Sequence, residues 1–235
     1  FETSTKSAIF LNKLYTNKSF RKKNKIHISQ IFCEIIGVKF VNINILSDIR
    51  NSSYKDILKI KSLFKKFDEN KKIIAVHPGS NWNSKILNYK TYSKIVNFLI
   101  SKDCNIIILG GSKEIIIEKK ISKLISNKKN YLNLVNKYQL DLLPLILKRS
   151  SLLITNDTGT MHFTYFSNTK AVIFFGPTSP KESGSMYKNC INILSNKKSA
   201  PCFSYKCSCF KKNSSNKCID TINIDKVLKL IYRQI

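Results

Sequence analysis

Ser151-Leu-Leu-Ile-Thr-Asn-Asp-Thr-Gly-Thr-Met-His162 decides how this chain folds. Leu152 to Thr155 has the length and apolar character of a buried strand. Asn156-Asp-Thr-Gly159 is a polar, glycine-containing turn, and Met161 to Phe166 reads as an amphipathic helix start. That order sets Asp157 and Thr158 beside the N–H groups that open a helix, which have no intrahelical partner. Such a place attracts anions, phosphate above all. A second turn of this kind, His77-Pro-Gly-Ser80, follows the apolar run Ile73-Ile-Ala-Val76. Two of the three histidines, His77 and His162, fall in these turns.

The same alternation extends outward. Strands are expected at Ile73–Val76, Asn105–Leu109, Tyr131–Val135, Leu152–Thr155 and Ala171–Phe175, with an edge strand at Ile191–Leu194. Helices are expected at Tyr92–Ile100, Ile115–Ile125, Leu140–Leu147 and Ile224–Ile231. Strands that are apolar throughout and alternate with helices indicate a parallel sheet covered on both faces, an α/β fold of Rossmann-like type. In such a sheet the loops after the strands share one edge, and ligands bind there where strand order reverses. His77-Pro-Gly-Ser80, Gly110-Gly-Ser112, Asn156-Asp-Thr-Gly159 and Gly176-Pro-Thr178 are therefore expected to meet at one crevice. Before Lys71 the pattern differs. Residues 1–70 are rich in Lys and Asn, with helical spacing at Ile26–Ile36 and Tyr54–Phe67 and a short alternating stretch at Phe40–Leu46.

A chain of 235 residues suits one large or two small domains, and 43% hydrophobic residues suit a packed core. No apolar run approaches the ~20 residues that span a bilayer. Phe1-Glu-Thr-Ser-Thr carries neither an initiator Met nor a secretory pattern and reads as interior sequence. The net charge of +27 comes from 41 basic and 14 acidic residues, but Arg occurs only at positions 21, 50, 149 and 233. Nucleic-acid interfaces favour Arg for bidentate contacts. The abundance of Lys, Ile and Asn matches AT-rich coding instead, so no dedicated nucleic-acid partner is expected. Diffuse Lys charge does suit weak contact with an anionic bilayer face.

The turns supply donors for a phosphate: Ser80 and Asn81 after the first, with Lys85 close by, and Thr158, Gly159 and Thr160 after the other. Lys85 is also one solvated lysine among many. Asp157 doubles as an N-cap, and His162 as a packed helix residue. Glu114 or Glu118 suits ribose hydroxyls, or simply a helix start that favours acid. No Walker loop and no Gly-x-Ser-x-Gly elbow is present. Cys33, Cys104 and Cys190 lie singly in apolar patterns and read as core, reduced in a chain without an export signal. Cys202, Cys207, Cys209 and Cys218 have enough thiolates for a structural Zn2+ ion, but lack paired Cys-x2-Cys spacing. The alternative is reduced thiols in a surface loop.

His77-Pro-Gly-Ser80 with Lys85, Leu109-Gly-Gly111, Thr155-Asn-Asp-Thr-Gly-Thr-Met-His162 and Phe174-Phe-Gly-Pro-Thr178 together resemble glycosyltransferase family 9, the heptosyltransferases of lipopolysaccharide synthesis. Pro201-Cys-Phe-x-x-x-Cys207, with Cys218, resembles the heptosyltransferase II-like members. Two departures stand out: the gap from Cys207 to Cys218 is long and Cys209 is extra, and Ile86-Leu87 follows Lys85 where the family often has an aromatic residue. The resemblance runs from about Lys71 to the C-terminus.

It implies a two-domain GT-B fold, with residues 1–70 the remnant of an N-terminal, acceptor-side α/β domain. Residues 71–235 would be the Rossmann-like donor-nucleotide domain, with a Cys-rich loop at 200–218 and a terminal helix. The implied activity is inverting transfer of heptose from ADP-L-glycero-β-D-manno-heptose to the lipopolysaccharide inner core, in the cytoplasm or at the inner face of the inner membrane. By position, Ser80, Asn81 and Lys85 would hold the donor diphosphate. Asp157, Thr158, Gly159 and Thr160 would bind diphosphate and sugar, supported by His162, and Glu114 would reach the nucleoside. No cofactor is implied as required, although Mg2+ at the diphosphate is compatible. The family's base lies near the start of the N-terminal domain, so this chain is expected to bind donor weakly without turnover. The rival readings are another GT-B sugar-nucleotide enzyme, or a basic, zinc-stabilised module for nucleic acid or membrane.

Overall fold

The structure, a computed structural model, describes residues 26–35, 39, 54–207 and 217–235. The stretch Phe40–Leu46 and Cys209 lie outside the described residues. Helices α1 (Ile28–Ile35) and α2 (Tyr54–Phe64) precede a repeating strand and helix pattern. In chain order this comprises β1 (Ile73–His77), α3 (Tyr89–Ser101), β2 (Asn105–Ile108), α4 (Ile115–Ser122), β3 (Tyr131–Asn133), α5 (Leu143–Lys148) and β4 (Leu152–Asn156). It continues through α6 (Phe163–Ser167), β5 (Ala171–Phe175), α7 (Pro180–Ser183), β6 (Cys190–Leu194) and α8 (Ile224–Tyr232).

The six strands form one sheet in the order β3-β2-β1-β4-β5-β6, and every neighbouring pair is parallel. Strands β1 to β3 step one way from the centre and β4 to β6 the other. Strand order therefore reverses between β1 and β4, where Val76 faces Ile154 and His77 faces Thr155. The loops leaving β1 and β4 part at that point and open a crevice at the C-terminal edge.

Side chains alternate across the pleat. Ile74, Val76, Ile106, Ile108, Ile154, Val172 and Phe174 pack on one face with Tyr92, Ile95, Leu99 and Ile231. Ala75, Ile107, Leu153, Ile173 and Phe175 pack on the other with Leu143, Ile146, Leu147 and Met161. Ile60, Phe64 and Phe67 join this second core, so apolar packing continues across the expected domain boundary at residue 70. Phe174 and Phe175 are fully buried, and truncating such a side chain to Ala costs about 3–5 kcal/mol.

Boundaries differ from expectation for local reasons. Helix α3 starts at Tyr89 rather than Tyr92, because the Asn88 side chain accepts from the Lys90 N–H and caps it. Strand β3 stops at Asn133, whose Oδ1 takes the Val135 N–H at 2.8 Å. The segment from Leu140 divides into a 3-10 turn, Leu140–Leu142, and α5, with Pro144 in the first turn. Cys104 is buried as expected, whereas Cys33 and Cys190 are only half-buried, Cys190 at the start of an edge strand. Among the described residues, no helix is long and apolar enough to cross a membrane.

Candidate functional site

At the β1/β4 reversal the two turns close on one another. The Lys85 ammonium lies 2.6 Å from Asp157 Oδ2, and only 15% and 4% of the two side chains is exposed. Thr178, from the loop after β5, donates its hydroxyl to the same oxygen at 2.5 Å. Ser80 Oγ donates to the Asp157 carbonyl at 3.1 Å. Trp82 places its ring under Lys85, 4.7 Å from Nζ to centroid. Three separate loops thus hold one buried cation and one buried carboxylate at the rim of the sheet.

Asn156, fully buried at the end of β4, locks the loops together. Its Nδ2 donates to the carbonyls of Pro78 and Gly79 at 2.8 and 3.1 Å, and its Oδ1 accepts from the Leu87 N–H at 3.2 Å. These backbone groups lie beyond the β1 ladder, and left unpaired in the interior each would cost about 1–3 kcal/mol.

After Asp157 the chain runs through Thr158, extended, into a 3-10 turn, Gly159–His162, and then α6. Helix α6 is short, so the expected helix start is a tight turn followed by barely more than one helical turn. Gly159 is exposed, and a Cβ built on it meets nothing within 4 Å. Packing does not require glycine there. His162 keeps a solvent-facing side, but its pKa is lowered. Desolvation by the surrounding protein is the first cause, Asp157 opposes it, and His27 and Lys85 reinforce it. His77 ends β1 and is buried, which pushes its pKa down to about 4. It is buried and does not line the adjoining cleft.

A cleft of about 420 Å3 adjoins the Lys85 loop, lined by Ser80, Asn81, Tyr89, Glu114, Ile117 and Tyr205 among others. Glu114 accepts from the Gly111 N–H at 2.8 Å. Its side chain lies across Gly79, where any Cβ would overlap the carboxylate. Of the two glutamates weighed for a ribose, Glu118 is buried, accepting from the Tyr131 hydroxyl at 3.0 Å. Only Glu114 reaches the cleft. Asn81 is exposed, with its carbonyl 3.5 Å from the Tyr205 hydroxyl. A larger hollow of about 740 Å3 opens near the start of β1, between Lys61, Lys71, Ile73 and Arg149. It contains none of the candidate donor-binding residues.

Cys202 and Cys207 are half-buried, and Cys218 is buried against Gly176. Among the described residues, no group of three or more His, Cys, Asp or Glu side chains is placed to hold a metal. The motifs contained Asn156 and Thr178 without giving either a role, and they passed over Trp82 and the third histidine, His27. The His27 Nε2 lies 3.0 Å from the Gly184 carbonyl, and its Nδ1 accepts from the Ser29 N–H. This bond brings the start of α1 to the C-terminal edge of the sheet. Asn156 and Thr178 left a signal, each in a polar turn directly after an apolar run; Trp82 and His27 left none.

The profile described as glycosyltransferase family 9 (heptosyltransferase) matches residues 51–213. Lipopolysaccharide heptosyltransferase 1 of Campylobacter coli is 23% identical over 233 residues, 94% of this chain and 66% of that protein. A family 9 glycosyltransferase from Veillonella parvula superposes with a TM-score of 0.70 at 17% identity, over 90% of this chain and 60% of that one. The ADP-heptose lipopolysaccharide heptosyltransferase II of E. coli gives 0.62 at 17% identity, over 78% of this chain and 52% of that one. The chain spans two thirds or less of the length of these relatives, and its α/β sheet matches the fold of the solved heptosyltransferases. The chain belongs to glycosyltransferase family 9, the heptosyltransferase family.

Proposed function

We propose that this chain carries the donor half of a heptosyltransferase. It grips the diphosphate of ADP-L-glycero-β-D-manno-heptose while the heptose passes, with inversion, to the lipopolysaccharide inner core. The observation that carries this reading is the convergence of Ser80, Lys85 and Asp157 at the β1/β4 reversal. Negative charge grows on the diphosphate as the glycosidic bond breaks. A fixed ammonium and the N–H groups of Thr158, Gly159 and Thr160 stabilise that charge where it develops. The open space before Gly159 admits a ligand against the backbone.

In this scheme Asp157 orients Lys85 and accepts from a sugar hydroxyl, and His162 donates at the same rim. Ser80 and Asn81 line the approach to the diphosphate, and Glu114 takes a ribose hydroxyl in the adjoining cleft. The acceptor hydroxyl also loses a proton to a base; the residues named here act on the leaving group. Residues 1–70 belong, on this reading, to the acceptor side. The protein works in the cytoplasm, where a net charge of +27 draws it to the anionic inner face of the membrane that holds the acceptor.

Donor choice separates this reading from another sugar-nucleotide enzyme of the same shape. In calorimetric titrations ADP is expected to bind, with UDP and GDP at least about tenfold weaker. Lys85→Ala is expected to weaken ADP by about ten- to a hundredfold, the loss of a charge-assisted contact. Equal affinity for the three nucleotides, or unchanged ADP binding in Lys85→Ala, would overturn the proposal.

A further inference from the structure

The loop that presents Lys85 is bonded from other segments as well as from within. Asn83–Lys85 is a single 3-10 turn closed by Lys85 N–H to Trp82 O at 3.0 Å and Ile86 N–H to Asn83 O at 3.2 Å. Asn156 anchors its inner side at Leu87. On its outer side a second segment, far along the chain, makes the matching contacts. Lys217 Nζ donates to the carbonyls of Asn83 at 3.2 Å and Ile86 at 2.5 Å. Those carbonyls flank Lys85. Asp220 ties the same segment down twice: its Oδ1 accepts from the Asn88 N–H and its Oδ2 from the Lys217 N–H, both at 3.0 Å. Ser84 adds a bond from its hydroxyl to the Ser204 carbonyl at 2.9 Å.

We infer that Lys217 is a positioning residue for the donor diphosphate: it clamps the two carbonyls that flank Lys85 and so fixes where the Lys85 ammonium stands. The inference rests on the donor-binding reading above. A surface lysine held in water has no reason to spend two of its three N–H donors on main-chain carbonyls of a distant loop. Lys217 is half-buried, and desolvation lowers its pKa. Its ammonium thus accepts a solvation cost in order to sit there. Lys217 lines the cleft but acts through the loop, because its ammonium bonds main-chain carbonyls and its partner Asp220 holds the loop as well.

The test uses the whole chain and ADP, with adenosine as the control that lacks phosphate. Lys217→Met is expected to weaken ADP about tenfold and to leave adenosine unchanged. In the Lys85→Ala background the same change should have no further effect on ADP, because the residue it positions is gone. A full additional loss in that background means that Lys217 contacts the phosphates itself and overturns the inference, as does unchanged ADP binding in Lys217→Met. Hydrogen exchange gives a ligand-independent readout. The Leu87 and Asn88 amides should exchange at least about tenfold faster in Lys217→Met, and unchanged protection sinks the clamp. If the wild-type chain does not bind ADP, the donor reading fails while the exchange result still decides the clamp. Asp220→Asn, which loosens the same segment without touching the ammonium, carries both measurements should Lys217→Met not fold.

Discussion

Two kinds of ion pair occupy opposite extremes of this molecule. Lys85–Asp157 lies at the C-terminal rim of the sheet, almost closed to water. Lys71–Asp103 and Lys94–Asp225 lie on the surface, with 74% and 78% of the aspartate side chains exposed. All three have distances of 2.8 Å or less, so distance does not separate them. Burial does. Water screens the outer pairs, and removing one partner costs little. At the rim, removing one partner leaves the other charge in a poor solvent. Among these three pairs, Lys85 is set apart by what surrounds it.

The comparison breaks most directly at Asp157. Asp157→Ala strands the Lys85 ammonium and the Thr178 hydroxyl, and it is expected to cost about 3–5 kcal/mol in denaturant unfolding. Asp103→Asn, which removes the surface charge but keeps a side chain suited to the left-handed backbone at that position (φ 60°), should leave the unfolding midpoint nearly unchanged. Equal effects of the two substitutions would remove the distinction between rim and surface.

A second contrast within the interior is protonic. His77 sits buried on β1 with its pKa lowered to about 4, against 6.5 in the unfolded chain. Between those values the unfolded state binds the proton that the folded state refuses. Stability is therefore full above about pH 6.5 and declines as pH falls toward 4, by about 3 kcal/mol at most. Unfolding curves of His77→Phe against the parent should lose that slope. A slope that persists in the variant places the titration elsewhere.

The smallest effect sharpens the contrast between fold and site. Gly159→Ala meets no neighbour, so its stability should stay within about 0.5 kcal/mol of the parent. ADP binding should nonetheless fall about tenfold, since the methyl occupies the ligand's approach. A stability loss with unchanged ADP binding would reassign Gly159 to the fold.

The sheet was largely legible because buried parallel strands are written as apolar runs, and Ala171–Phe175 has no other plausible use. The meeting of the loops was legible because turns that follow parallel strands share one edge of the sheet. What connects them was not. Asn156 reads as the first turn residue until its amide is seen bridging the Pro78 and Gly79 carbonyls to the Leu87 N–H. Lys217 is indistinguishable by type from the other lysines, and only three-dimensional proximity assigns it to Asn83 and Ile86. Glu114 and Glu118 occupy adjoining turns of one helical segment. Their separate fates depend on Tyr131, a residue whose position no local pattern discloses.

The central place of β1 bears on how the polypeptide emerges from the ribosome. Its neighbour β2 follows promptly, but the edge that β4 will cover stays bare until Leu152 has been synthesised. Throughout that interval Ile73–Val76 offers unpaired backbone and apolar side chains to any other nascent strand. A message cut short before this point should yield inclusion bodies, and one cut after β5 would still lack Thr178, Lys217 and Asp220, which hold the crevice loops in place.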